Sequence, residues 1–299
     1  MSWPPLPYAD WEPTKQTLHR YAQMVGKVRM ALVPPLNHWW HATLYVSARG
    51  LTTGPMPAGD ATAEIELDFV DHHAHVRTSD GATAGFPLRD RLTCARFHDD
   101  LFAALHDVGV DARIDARPFD LGDSPPFPED TRHDRYDADA VARFWAILRA
   151  TDGVLGRFRS GFAGKASPVH LFWHSFDLAH ARFSGRRAPA MPGADRVTAE
   201  AYSHEVIAFG WWPGDDRRTP FPAYYSYTAP EPAGLREQPL AGAGAAWQES
   251  GGGSLAVLPY DAVREAPDPA AALLEFFESA YRAGATAAGW DVAALERRR

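Results

Sequence analysis

Cysteine is almost missing from the chain. Cys94 is the only one, so no disulfide can form within the molecule, and the expected compartment is a reducing cytoplasm. Lysine is nearly as scarce. Only Lys15, Lys27 and Lys165 occur, and arginine supplies the other cations. The formal net charge of −8 lacks the basic footprint of a nucleic-acid binder, so no nucleic-acid partner is expected. No apolar run approaches the roughly 18 residues of a membrane span, so no membrane association is expected either. The start, MSWPPLPYADWEPT, has neither the basic region nor the apolar stretch of a signal peptide.

Several catalytic signatures are also lacking. GFAGKAS (Gly161 to Ser167) misses the GxxxxGK[ST] spacing of a phosphate loop, and SGGGS (Ser250 to Ser254) lacks the strand-to-helix context of one. There is no GxSxG elbow. The histidine of YSHEV, His204, is not part of an HExxH zinc motif. Cys94 begins a predicted helix, where a thiol pKa can fall, but a lone, half-buried thiol is the simpler reading.

What is present is apolar, aromatic and rich in histidine: 45% hydrophobic, 12% aromatic, and 13 histidines. That is ample for a packed core and speaks against disorder. The phrase WHATLYVSAR (Trp40 to Arg49) returns as WHSFDLAHAR (Trp173 to Arg182), with Trp, His, Ala and Arg at matching places. MPAGDATAE (Met56 to Glu64) faces MPGADRVTAE (Met191 to Glu200), and VGKVR faces LGRFR further upstream. These echoes predict an internal duplication of one unit rather than a solenoid.

The elements follow from periodicity. Thr14 is the expected N-cap of a helix bearing Leu18, Tyr21, Ala22 and Val25, and PPLN (Pro34 to Asn37) then begins an extended segment reaching Arg49. TAEIELDFVDHHAHVRT predicts two strands or one long bent one, Phe97 to Val108 a helix ended by Gly109, and VDARIDARPF a closing strand. DLGDSPPFPEDTRHDRYD reads as a surface connection. Asp137 then caps a helix with Val141, Phe144, Trp145 and Leu148 on one face. A strand from Pro168 to Phe183 follows, then strands in HEVIAFGWW, FPAYYSYTAP, AAWQE and LAVLPY. A last helix starts at Asp268 and Pro269. The predicted class is α+β: two tandem helix–antiparallel-strands–helix units, residues 1–119 and 137–299, joined by 120–136 and packed about a pseudo-two-fold axis.

PLPYADWEPTKQTLHRYAQMVGK, PPLNHWWHATLYVSARGLTTGPMP, SPVHLFWHSFDLAHARFSGRRAP and EAYSHEVIAFGWWPG together resemble a bacterial family of unknown function, number 5996 among domains of that kind. The resemblance spans nearly the whole chain and implies no activity. In the pattern associated with the family the second strand reads FWGSFDLAVTRFSG, which puts small or apolar residues where this chain has His174 and His180.

The histidines are the candidate chemistry. On a straight strand His170, His174, His180 and Arg182 would share a face. His170 and His174 would lie roughly 13 Å apart, too far for one metal, so partners must come from other strands. His73 and His75 form an HxH pair roughly 6.6 Å apart, which permits joint ligation. About a pseudo-two-fold axis, His41, Arg49 and Trp40 would meet His174, Arg182 and Trp173 in a crevice, unless these residues simply pack and pair with acids such as Asp177, Glu64 and Glu200. His204 matches Asp68 in the TAE register. The tyrosines of PAYYSYT, Tyr225 among them, and Trp211–Trp212 build core and pocket wall or stack a planar ligand.

The leading expectation is a small-molecule enzyme with a metal-dependent pocket holding iron or zinc. His41, His73, His75 and His174 are its candidate ligands, and His174, His204 and Arg182 its catalytic groups. The runner-up is a non-catalytic binder in which Arg49, Trp40, Trp173 and Tyr225 hold an acidic or planar small molecule. A haem protein with one axial histidine is the third reading.

Overall fold

The computed structural model describes residues 3–122, 124–216 and 219–297. The first long helix, α1 (Tyr8–Leu32), starts well before Thr14 and contains Pro13. Proline lacks the N–H that would serve the carbonyl of Ala9, and Ala9 is exposed, so the missing bond costs little there. Thr14 caps nothing in α1. Its hydroxyl accepts the Asp137 N–H at 3.0 Å and ties α1 to the start of the next long helix.

Pro34 and Pro35 do end α1, but no extended segment follows. Residues Asn37–Ala42 curl into a 3-10 helix with His38 and Trp39 in the left-handed region, at φ 56° and 61°. The Leu36 N–H donates to His41 Nδ1 at 3.1 Å, which closes the curl. The first sheet comprises β1 (Tyr45–Val46), β2 (Gly50–Thr52), β3 (Met56–Ala58), β4 (Ala61–Asp68), β5 (His73–Thr78) and β6 (Thr83–Pro87). Its order is β1-β2-β4-β5-β6, with β3 on the start of β4. Helix α2 (Cys94–Asp107) follows, with the Thr93 hydroxyl accepting the Arg96 N–H at 3.1 Å and Gly109 at φ 76° after its end.

The strand expected over VDARIDARPF does not form. That stretch has no sheet to join, and side chains of α1 satisfy its backbone instead. Lys27 donates to the carbonyls of Asp115 (3.0 Å) and Arg117 (2.7 Å). The Gln23 amide brackets Phe119, donating to its carbonyl (2.9 Å) and accepting its N–H (2.8 Å). The segment expected as a surface connection also enters the core. Phe127 and Asp130 are fully buried, and Asp130 sits 3.3 Å from Arg20 and 2.7 Å from His133.

Helix α3 (Ala138–Ser160) is capped by Asp137 as its sequence predicts. The second sheet contains β7 (His170–Phe172), β8 (Asp177–Arg187), β9 (His204–Trp212), β10 (Ala223–Ala229), β11 (Ala246–Ser250) and β12 (Gly253–Pro259), in the order β11-β12-β10-β9-β8-β7. Helix α4 (Arg196–Ala201) lies between β8 and β9. Helices α5 (Tyr260–Arg264), α6 (Pro269–Ala287) and α7 (Val292–Leu295) close the chain. Phe158 of α3 and Phe277 of α6 pack on Phe209 at 4.8 and 5.8 Å, covering one face of the sheet. The two sheets meet at their edges, where Leu44 and Leu171 exchange backbone hydrogen bonds of 2.9 and 2.7 Å.

The class is α+β with two antiparallel sheets, but the duplication and its pseudo-two-fold axis are not confirmed. Trp40–His41 lies in a 3-10 helix and Trp173–His174 in the turn between β7 and β8. The first TAE is strand and the second is helix α4. Arg49 precedes β2 in one sheet, while Arg182 lies inside β8 in the other. The shared letters therefore do not mark shared positions.

Helix α1 passes so close to the β7–β8 turn that only glycine fits at position 26. A Cβ there would lie 2.0 Å from Cδ1 of the buried Trp173 indole. Gly26→Ala should lower stability by about 1–3 kcal/mol in urea titrations despite alanine's better helix propensity, because the indole must move. Unchanged or raised stability would contradict this packing.

Candidate functional site

Residues 173–176 turn the chain between β7 and β8, with Phe176 at φ 60°. Helix α1 pins this turn from below. His19 Nε2 lies 2.9 Å from the carbonyl of Trp173 and 3.2 Å from that of His174, and the His19 ring stacks on Phe176 at 4.8 Å. Burial first, and then the nearby Lys15 charge, push the His19 pKa well below its usual range, so a neutral ring donates through Nε2.

Because the turn interrupts the expected strand, His170, His174, His180 and Arg182 do not share a face. His180 and Arg182 point to the helices, where the Arg182 guanidinium lies 3.4 Å from the Phe158 ring centroid. His174, Ser175 and Asp177 instead rim an open cleft of about 320 Å³ on the face of the second sheet away from α3 and α6. Tyr225 and Tyr227 of β10 and Trp212 of β9 form its walls, with Tyr202 at one end. Period-two alternation puts Tyr225 and Tyr227 on one face, and their rings are nearly parallel, 11° apart with centroids at 6.3 Å. Gly210 makes room for Tyr225, since a Cβ there would meet its ring at 2.5 Å.

Asp177 is 7% exposed on the rim of this cleft. Its two oxygens accept hydrogen bonds from the Ser175 and Tyr225 hydroxyls. Tyr227 and Tyr202 join their hydroxyls at 3.1 Å. Burial, reinforced by the Asp177 charge, pushes the Tyr225 phenol far above its usual pKa. Burial lowers the pKa of His174, with the Asp177 and Asp120 charges opposing it.

Four carboxylates are buried among the described residues: Glu66, Asp68, Asp130 and Asp177. Glu66 has Arg77 at 2.9 Å, Asp68 has Arg49, and Asp130 has Arg20 and His133. Among the described residues Asp177 alone of the four has no cation within ion-pair distance.

The cleft thus unites two of the sequence candidates, His174 and Tyr225, and excludes the others. Trp173 is buried against α1. Arg49 is committed to Asp68 and Asp71 on the first sheet, and Arg182 is 2% exposed and donates to the Phe158 carbonyl. His73 and His75 stack at 4.4 Å on β5, with His75 4.0 Å from Asp68. His41 is held by the Leu36 N–H. Among the described residues no group of three or more His, Cys, Asp and Glu side chains is placed to hold a metal ion. Cys94 is fully buried, and burial raises its pKa rather than lowering it. Trp40 and His204 do come together, but elsewhere. They surround His38, with ring centroids at 5.4 and 5.7 Å, and Lys165 Nζ sits 2.8 Å from His38 Nε2.

His170 and His180, like His19, are core residues. His170 is 1% exposed and His180 is fully buried, and desolvation lowers both pKa values from 6.5 to about 3. Between those pH values the unfolded chain binds protons that the folded chain refuses. Stability is therefore lost as pH falls below 6.5, by about 1.4 kcal/mol per pH unit for each imidazole. His180→Val should reduce the loss between pH 7 and pH 5 by about 2 kcal/mol, measured as urea stability at several pH values. A slope equal to that of the parent chain would show that His180 does not titrate in this way.

No helix among the described residues is long and apolar enough to cross a membrane. No curated protein and no solved structure matches the chain. The profile of the family of unknown function DUF5996 matches residues 3–297, so the chain belongs to that family.

Proposed function

We propose that the chain binds a small, planar organic cation in the cleft between the β7–β8 turn and β10, and that His174 exchanges a proton with it. The observation that carries this reading is Asp177, a buried carboxylate without a counter-ion, set beside aromatic walls. Removing a carboxylate from water costs several kcal/mol, and two hydroxyl donors offset only part of that. A cationic ligand supplies the missing charge, and the faces of Tyr225, Tyr227 and Trp212 add cation–π attraction of about 0.5–2 kcal/mol. His174, kept neutral by burial, is the proton acceptor within the same cleft. This reading assigns no step to a metal or a haem.

An acidic ligand is less well supported. It requires Arg49 or Arg182, and neither lines the cleft. Planarity is the part of the binding expectation that the tyrosine pair favours.

We also infer that the chain comprises two helix–sheet–helix halves, equivalent through the Leu44–Leu171 contact rather than through the repeated letters or through Arg49 and Arg182. In support, α1 and α3 each precede a short antiparallel pair, β1–β2 and β7–β8, while α2 and α6 follow the sheets. The buried acids of the first sheet are neutralised by arginine, which leaves the cleft to the second.

N-methylpyridinium tests the reading against benzoate, a planar anion of similar size. Tryptophan fluorescence and calorimetry should detect the cation and not benzoate. Asp177→Asn should weaken the cation at least tenfold, about 1.4 kcal/mol, with little change in unfolding free energy. Equal binding of both probes, or undiminished binding by the variant, would sink the proposal.

A further inference from the structure

Lys165 stands apart from the other two lysines. Lys15 and Lys27 are each 5% exposed, whereas Lys165 is exposed, on the loop between α3 and β7. Its amine is nonetheless enclosed on three sides. Nζ is 2.8 Å from His38 Nε2, 5.6 Å from the Trp40 ring centroid and 5.1 Å from that of Phe183. Among the described residues no carboxylate lies within ion-pair distance of it. His38 Nδ1 lies 3.1 Å from the Ala201 carbonyl and can only donate to it. That fixes the tautomer, so the lone pair of the neutral ring is at Nε2 and faces the lysine. Backbone geometry holds the ring there, since His38 is 5% exposed and sits in the left-handed region.

We propose that Lys165 is a carbonyl-reactive amine that forms an imine with a small aldehyde or ketone, with His38 as its proton relay. The site is separate from the cleft and does not depend on the reading given to it. The amine lone pair forms a bond to the carbonyl carbon, and the ammonium proton passes to His38 Nε2. That proton returns to the former carbonyl oxygen to give the carbinolamine hydroxyl, and the second N–H proton follows through the same relay as the C–O bond breaks, so that water leaves and a C=N bond remains. Amine and carbonyl give imine and water, with no oxidant or reductant required.

The surroundings favour the free amine on balance. Burial lowers the Lys165 pKa. Arg187 of β8 and Lys165 both act on His204 of β9, and His204 acts on His38. Glu200 of α4 is the one acid that acts on His38. The Trp40 and Phe183 faces oppose the shift by stabilising the ammonium, at distances where that attraction is weak.

Reductive trapping provides the test, because there are only three lysines to compare. The chain is treated with propanal and cyanoborohydride between pH 6 and pH 10 beside N-acetyl-lysine amide, and adducts are mapped by mass spectrometry. Lys165 should react severalfold faster than the free lysine at pH 7, while Lys15 and Lys27 stay unmodified. His38→Asn suits the left-handed backbone and removes the relay. It should cut the Lys165 rate at least tenfold while the chain remains folded. A rate no greater than that of N-acetyl-lysine amide overturns the proposal without recourse to any variant. Undiminished labelling in a folded His38→Asn chain overturns the role of His38.

Discussion

The chain between α2 and α3 has no strand to pair with, and its backbone must still be hydrogen-bonded where it leaves water. Helix α1 meets that need with long polar side chains. Lys27, Gln23 and Arg20 lie one turn apart along the helix and reach Asp115, Arg117, Phe119, Ser124 and Asp130. The charges they carry are costly to bury, and burial lowers the pKa of Lys27 and Arg20, so the geometry must hold. The same helix face carries His19 and Gly26, which grip the β7–β8 turn. The position of His174, Ser175 and Asp177 thus depends on a helix in the other half of the sequence.

The second sheet then separates two kinds of surface. Its helix side is filled by Phe158, Phe209 and Phe277, which bury His180 and Arg182 with them. On its other side Ala179, Ala208 and Gly210 leave low ground between larger groups. Asp177 and Phe183 lie on this side of β8, six residues and so roughly 20 Å apart. One end holds the unpaired carboxylate, and the other holds Lys165 beneath the 3-10 helix. At that separation even an ammonium at Lys165 would not neutralise Asp177.

Elements built on periodicity were readable from the letters. Helices α2, α3 and α6 and the strands β4, β5, β9, β10, β11 and β12 fall where apolar spacing and capping residues place them. What resisted was geometry imposed from elsewhere. The turn at residues 173–176 needs Phe176 at positive φ, which an aromatic residue adopts only when its ring is held, here by His19 and Phe144. Residues 110–119 alternate like a strand but find helix side chains instead of a neighbour. The TAE triplets differ because Asp195 caps the second into a helix, accepting the Val197 and Thr198 N–H groups. His174 and Tyr225 could be found from spacing and aromatic pattern. Asp177 could not, because a straight strand puts it beyond His174, and Lys165 sits in GFAGKAS, whose spacing misses a phosphate loop and signals nothing else.

Charge pairing decides between a structural and a ligand-directed role more sharply than residue type does. Thirteen histidines suggested metal chemistry, yet His19, His170 and His180 are neutral core residues and His41 closes a local curl. A satisfied imidazole needs nothing further. A buried carboxylate with only hydroxyl partners does, because hydroxyls contribute hydrogen bonds without neutralising charge. The same reasoning separates the arginines. Arg49 is spent on two aspartates, and Arg182 rests on three aromatic rings, so neither has charge left to offer a substrate. Among the described residues the open face of the second sheet keeps one buried carboxylate, Asp177, without an ion-pair partner, and that is where a ligand has something to gain.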